Sequence, residues 1–300
     1  MESTKTVMTR RQALGTMGAL GVLAMAGRTA FGAAEAAKPA AAAAGAAKKP
    51  GIALQLYTLR DPAKKDLADT LKKCADMGWK YVQWSGMPAL PADKVREALG
   101  KAGLQCIACH TSVEAFEKDF DKEVAYWKTV GNKDVGPGGM MKDCTKDLES
   151  WLKGAKRLDD LGAKLRAAGM RLSFHNHSME FQKFPNDPRT KHEILMEATK
   201  PENLCAELDL AWAATAGVDV PAYMRKLKGR MPLVHAKDVT LGGPKHILKP
   251  LGQGDLKWPE IFAAGREAGV EWYIYEQDNG EGSPFDYTKA SYDWLSKQAL

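Results

Sequence analysis

From residue 51 onward the chain alternates short apolar runs with longer stretches in which apolar residues recur at helical spacing. The short runs fall at residues 52–57, 81–84, 105–110, 172–177, 204–210, 233–237 and 272–276 and read as strands. An eighth run, near residues 133–136, is the weakest of the set. Helical periodicity is clear at 67–77, 92–102, 148–168 and 258–268. Strands alternating with helices in this way predict a parallel sheet. Several helices end alike, at Met77-Gly78, Ala102-Gly103, Ala168-Gly169 and Ala268-Gly269, and glycine there stops a helix in a left-handed cap. These ends recur at about the spacing of one strand–helix unit. Eight such units close a (β/α)₈ TIM barrel, and about 250 residues is a usual size for one. An open doubly wound sheet is the rival. No Gly-rich phosphate fingerprint follows the first strand, which weighs against its dinucleotide-binding form.

The first fifty residues do not follow this pattern. Thr9-Arg10-Arg11-Gln12-Ala13-Leu14 leads into a charge-free apolar run from residue 13 to 27, followed by Ala30-Phe31-Gly32-Ala33. A basic start, a short apolar centre and small residues form the layout of a cleavable export signal, and the arginine pair makes it twin-arginine-like. The run is short of the roughly 20 residues that span a bilayer, so no stable membrane insertion is expected after processing. The expected organisation is a signal peptide at 1–33, an Ala-rich linker at 34–50 and one catalytic domain at 51–300, exported to the periplasm. The chain carries +6, but residues 1–50 hold seven Lys/Arg against two acids, which leaves the domain near +1. No basic face is implied, and nucleic acid is not an expected partner. The five cysteines are an odd number and do not suggest a disulfide framework. Cys106 and Cys109 have metal-like spacing, but residues three apart on a strand point to opposite faces, so buried thiols are expected.

Active sites of such barrels lie at the C-terminal ends of the strands. Metal-type residues collect there: His175-Asn176-His177 on the fifth strand, Glu207-Leu208-Asp209 on the sixth, His235-Ala236-Lys237-Asp238 on the seventh and Glu276-Gln277-Asp278 on the eighth. Side chains alternate faces, so His175 with His177, Glu207 with Asp209, His235 with Lys237 and Glu276 with Asp278 share a face. A single strand-end His or Asp is ordinarily a hydrogen-bonding or helix-capping residue. Four adjacent strands with the same feature point instead to an imidazole–carboxylate site for one divalent metal ion: Mn²⁺, Zn²⁺, Fe²⁺ or Co²⁺.

The blocks HNHSMEF, ELDLAW, GRMPLVHAKD, LGQGDLKW and GVEWYIYEQD together resemble the xylose-isomerase-like sugar phosphate isomerase/epimerase superfamily, which also includes AP endonucleases of family 2. The resemblance spans residue 51 to the C-terminus and is strongest from 170 to 278. It implies one divalent metal held by a Glu, an Asp, a His and a Glu from strands five to eight. The last three fall on Asp209, His235 and Glu276. At the first, relatives read Glu-Asn-His where this chain reads His175-Asn176-His177, which makes His175 the ligand and leaves His177 to orient a ligand or to act in catalysis. Trp212 stands where the endonuclease-type relatives carry a further His ligand, and His110 matches another of their histidines. The full multi-metal set is absent, so a DNA-repair activity is not implied.

The resemblance also implies removal of the proton next to a carbonyl, in the family's epimerases by two carboxylates. With imidazole in place of one carboxylate, Glu276 is paired with His177 or Glu180 as acid and base. Lys237 would pair with Glu207 or Asp238, polarise a carbonyl or stabilise an enediolate. Tyr57, Trp84, His110, Trp212 and Glu180 are the further candidates for touching the substrate; Tyr57 and Trp84 would alternatively plug the barrel. Gly252-Gln253-Gly254-Asp255 reads as a turn beside the site. The expected function is a metal-dependent sugar or keto-sugar isomerase/epimerase acting on a small carbohydrate through an enediolate. The alternative is a metal-dependent lyase or hydrolase on oxidised (3-keto) glycosides, and a third reading is a sugar-binding module with a relict site.

Overall fold

The structure, a computed structural model, describes residues 49–300 apart from residue 244. The expected signal segment and residues 34–48 of the expected linker lie outside the described residues. Eight parallel strands close into a barrel: β1 (Gly51–Gln55), β2 (Tyr81–Trp84), β3 (Gln105–His110), β4 (Asp134–Gly136), β5 (Arg171–His175), β6 (Cys205–Asp209), β7 (Leu233–Ala236) and β10 (Trp272–Tyr275). A hairpin of β8 (Asp238–Thr240) and β9 (Ile247–Lys249), not anticipated from the sequence, follows β7. β1 pairs with both β2 and β10, so the sheet has no edge and the doubly wound alternative is excluded. The weak run at 133–136 is a strand of three buried residues held between β3 and β5. Its Gly136 lies so close to β5 that a Cβ would overlap the Ser173 carbonyl oxygen.

Helices fill the outer layer, and their apolar faces meet the outward side chains of the strands. Val82, Phe174, Leu208 and Val234 pack there with Leu71, Trp151 and Leu158 in one continuous core. Aspartate and threonine N-caps start several of these helices: Asp147, Thr190 and Asp219 each accept a backbone N–H of the first turn. The glycines expected at four helix ends, Gly78, Gly103, Gly169 and Gly269, all take positive φ. Inside the barrel, alternation places Ala53, Leu233 and Ile274 inward near the N-terminal end, where they form a small apolar cluster. Arg171 ties Asp134 to Glu271 at the same end. The inward positions further along most strands are polar, among them Gln55, Gln83, His175, Glu207, His235 and Glu276.

Several strands end earlier than their apolar runs suggest. β1 stops at Gln55, and Leu56–Leu59 form a 3₁₀ turn whose Tyr57 N–H is accepted by the Gln55 side chain at 3.3 Å. β5 stops at His175, so His177 is not a strand residue. It opens a 3₁₀ turn at Ser178–Phe181. All five cysteines are free, and four of them are buried, Cys106 and Cys109 included.

Candidate active site and metal centre

The C-terminal mouth gathers the inward side chains of β5, β6, β7 and β10. His175, Asp209, His235 and Glu276 are all buried, and one ligand atom from each lies within 4.8 Å of the others. The Nδ1 of His235 is 3.0 Å from Glu276 Oε2 and 3.9 Å from Asp209 Oδ2. Asp209 uses its other oxygen to cap the next helix, accepting the Trp212 N–H at 2.9 Å. Asn176, the middle residue of the fifth-strand motif, points away from these groups and pins Asp209 by its peptide: Asn176 Oδ1 accepts the Asp209 N–H at 3.0 Å. The His-Asn-His spacing therefore places one imidazole and secures the carboxylate of the neighbouring strand.

Lys237 follows the end of β7 and is 1% exposed. Its Nζ is 2.9 Å from Asp209 Oδ2, 2.8 Å from Glu276 Oε2 and 2.8 Å from Asp278 Oδ2. Burial alone would lower its pKa, but the three carboxylates outweigh burial and keep the ammonium protonated. Its expected partners, Glu207 and Asp238, are not the ones it has. Asp238 points out of the barrel and accepts the N–H groups of Gly252 and Gly254 and the indole N–H of Trp258. The Gly252-Gln253-Gly254-Asp255 loop is thus anchored by Asp238, and a Cβ at Gly254 would overlap that carboxylate.

Just below, toward the apolar cluster, lies a second polar tier. Glu207 accepts the Gln83 Nε2–H at 2.6 Å and lies 2.7 Å from His110 Nε2. Gln83 Oε1 in turn meets Gln55 Nε2 at 2.8 Å and His235 Nε2 at 2.7 Å. Burial raises the Glu207 carboxyl, but the His235 and His110 rings outweigh it and hold Glu207 ionised. Burial likewise pushes the His235 imidazole down, yet Glu207 and Glu276 lift it to about 10, so without a bound ion it is cationic. His175 is held neutral by burial, with His235 and His110 adding to the effect. Gln55 and Gln83 carried no signal of spacing, but both sit on the inward face that alternation assigns, two residues beyond Ala53 and Tyr81.

The other expected site residues are more dispersed. His177 is exposed at the mouth, its ring centroid 5.1 Å from that of His175 and 6.0 Å from that of Trp212. Trp212 lies with its ring 5.2 Å from Lys237 Nζ. His110 packs against His175 and His235, and cavities of about 240 and 510 Å³ open on either side of it. Trp84 is buried and lines the smaller one. Tyr57 does not plug the barrel. It is 37% exposed at the rim, with Arg60 over its ring. Glu180 is buried and accepts the His177 N–H at 2.8 Å, which fixes the turn that carries His177.

Two imidazoles and two carboxylates at this separation form a donor set that suits a divalent transition-metal ion. One observation tests the fit: the Nδ1 of His175 is buried with no hydrogen-bond partner, a cost that an ion would remove. A second grouping, His110, His175, Glu207 and His235, also brings ligand atoms within 4.8 Å and shares two residues with the first.

Residues 71–298 match the sequence profile of the family described as xylose isomerase-like TIM barrel. The chain is 25% identical over 167 residues to the inosose dehydratase of Lacticaseibacillus casei, covering 49% of this chain and 54% of that one. It is 27% identical over 220 residues to the inosose dehydratase of Mesomycoplasma hyopneumoniae, covering 61% and 71%. The chain thus spans about half the length of the first of these relatives. Among solved structures, a sugar phosphate isomerase/epimerase from Parabacteroides distasonis superposes with a TM-score of 0.70 at 22% identity, over 83% of this chain and 99% of that one.

Proposed function

The chain belongs to the xylose isomerase-like TIM-barrel family, and from that premise we propose that it is a divalent-metal-dependent isomerase or epimerase of a small carbonyl-bearing carbohydrate. The observation that carries this reading is the buried His175–Asp209–His235–Glu276 cluster with an exposed imidazole, His177, beside it at the mouth. An ion held by those four residues would polarise the substrate carbonyl and so acidify the neighbouring C–H. His177 is the group free to take that proton, since Glu276 and Asp209 face Lys237 and Glu180 is committed to the turn. The ammonium of Lys237 holds positive charge next to the oxygen that becomes an enolate oxygen. Trp212, beside both His177 and Lys237, offers a flat face to sugar C–H groups. Return of the proton by His177 to the neighbouring carbon, with the hydroxyl proton passing to the former carbonyl oxygen, isomerises the sugar; protonation of the same carbon from the opposite face, by a second acid or by water, epimerises it.

A second reading uses the same first step: loss of a β-leaving group in place of reprotonation, as in a lyase or hydrolase acting on an oxidised glycoside. Relatives named for a dehydration favour it. Proton NMR in D₂O over a panel of ketoses, keto-cyclitols and 3-keto-glycosides tests both readings. Deuterium entering next to the carbonyl with an isomeric product supports the first. An unsaturated or cleaved product supports the second. An isomeric product without solvent deuterium refutes exchange of the proton through His177, and no conversion of any substrate with any ion supplied refutes both readings.

A further inference from the structure

The proposed reaction leaves the second polar tier without a task, although Gln55, Gln83 and Glu207 are buried. Its hydrogen bonds can be oriented from the chemistry of the groups alone. The amide nitrogen of Gln83 can only donate and lies 2.6 Å from Glu207 Oε1, so that oxygen accepts it, while Glu207 Oε2 lies 2.7 Å from His110 Nε2. That turns the Gln83 amide oxygen toward Gln55 Nε2 and His235 Nε2, 2.8 and 2.7 Å away. An amide oxygen also only accepts, so His235 must carry a proton on Nε2. Glu207 Oε1, 3.3 Å from the same nitrogen, favours this as well. A neutral imidazole has one N–H, which leaves the lone pair on Nδ1. Nδ1 is the nitrogen that faces Glu276 and Asp209.

We propose that Glu207, acting through Gln83, is a positioning residue that fixes His235 in the tautomer able to hold the ion, and that the His110–His175–Glu207–His235 grouping is a hydrogen-bonded support and not a second ion site. The proposal rests on reading the upper tier as a metal centre. It also accounts for where the charge sits around His175. Glu207 is the register partner of His175 across β5 and β6. A carboxylate is therefore present beside the fifth-strand position, one strand over, and it acts on the ion through His235. Carboxylates behind a ligating histidine raise its basicity and lock its ring, and losing one ordinarily weakens metal binding roughly 10–100-fold.

The test is titration of the chelator-stripped protein with Co²⁺ by calorimetry and visible spectroscopy, and with Zn²⁺ for ¹⁵N NMR of the histidine rings. Glu207→Gln should still bind one Co²⁺, roughly 10–100-fold more weakly, with an unchanged cobalt spectrum. Its His235 ring should lose the wild-type pattern of protonated Nε2 and metal-bound Nδ1 before saturation. Asp209→Asn should lose the ion. His110→Phe, which keeps the Glu207 carboxylate, should weaken binding less and also leave the cobalt spectrum unchanged; it serves if Glu207→Gln does not fold. Loss of the ion or an altered cobalt spectrum in either tier variant would make the lower grouping the ligand set and overturn the proposal. Unchanged affinity and an unchanged ring pattern in Glu207→Gln would overturn it while leaving the metal centre standing. A wild-type protein that binds neither ion would overturn both.

Discussion

Replacing Lys237 with methionine keeps the volume of the side chain and removes its charge. The ammonium lies within 2.9 Å of three carboxylates, Asp209, Glu276 and Asp278, and is 1% exposed. Removing one member of a buried ion cluster leaves uncompensated charge, at a cost of about 3–5 kcal/mol. For a domain of this size each kcal/mol moves the melting temperature by about 2–4 °C, so Lys237→Met should melt on the order of 10 °C lower in excess chelator. A divalent cation bound by the same carboxylates substitutes for the lost charge. An ion at a hundred times its Kd contributes about 2.7 kcal/mol in any variant that binds it. With the competing ammonium gone its affinity should rise, so Mn²⁺ or Co²⁺ should raise the melting temperature of Lys237→Met more than that of the wild type. Thermal melts of both proteins in chelator and in saturating metal measure the two effects. A variant that melts within about 2 °C of the wild type in chelator, or that gains less from the ion, would refute the argument that Lys237 neutralises these carboxylates.

Four further outcomes are expected. Metal analysis should find about one divalent ion per chain, lost in Asp209→Ala, His235→Ala and His175→Ala; undiminished content in these variants would displace the site. His177→Ala should keep the ion and lose turnover, whereas retention of turnover would move the base elsewhere. Because His235 is cationic up to about 10 before the ion binds, each ion should displace one proton from it; affinity should therefore fall as pH falls, by up to about tenfold per unit, and pH-independent binding between pH 7 and 9 would contradict this. The proposed twin-arginine export predicts that replacing Arg10 and Arg11 with lysine retains the protein in the cytoplasm, while undisturbed export of that variant would point to the general secretory route.

Alternation along strands made the buried cluster of candidate ion ligands legible, because His175, Asp209 and His235 are in-strand residues and Glu276 stands one position past β10. The pleat holds their direction, and the register sets Asp209 beside His235. The same rule weakens beyond the strand ends. His177 lies two residues past β5, where the chain has already turned, so its ring is aimed by the Glu180-capped turn and not by the inward face. Tyr57 left the barrel in the same way. Glu207 lay on the assigned face, but its task depends on Gln83, a partner 124 positions away whose amide has no distinguishing sequence context. Lys237 was placed inward correctly and matched to the wrong acids, since Asp238, its neighbour in sequence, points to the opposite side. Strand-borne groups fix the chemistry this barrel can do, by holding charge and lone pairs at set depths. The groups at the rim lie past the strand ends, His177 at the start of a 3₁₀ turn and Trp212 in the first turn of the helix after β6, and are the ones proposed to meet the substrate. The candidate metal centre is therefore written in the periodicity of the strands, and the rim around it in turns whose geometry only the folded chain defines.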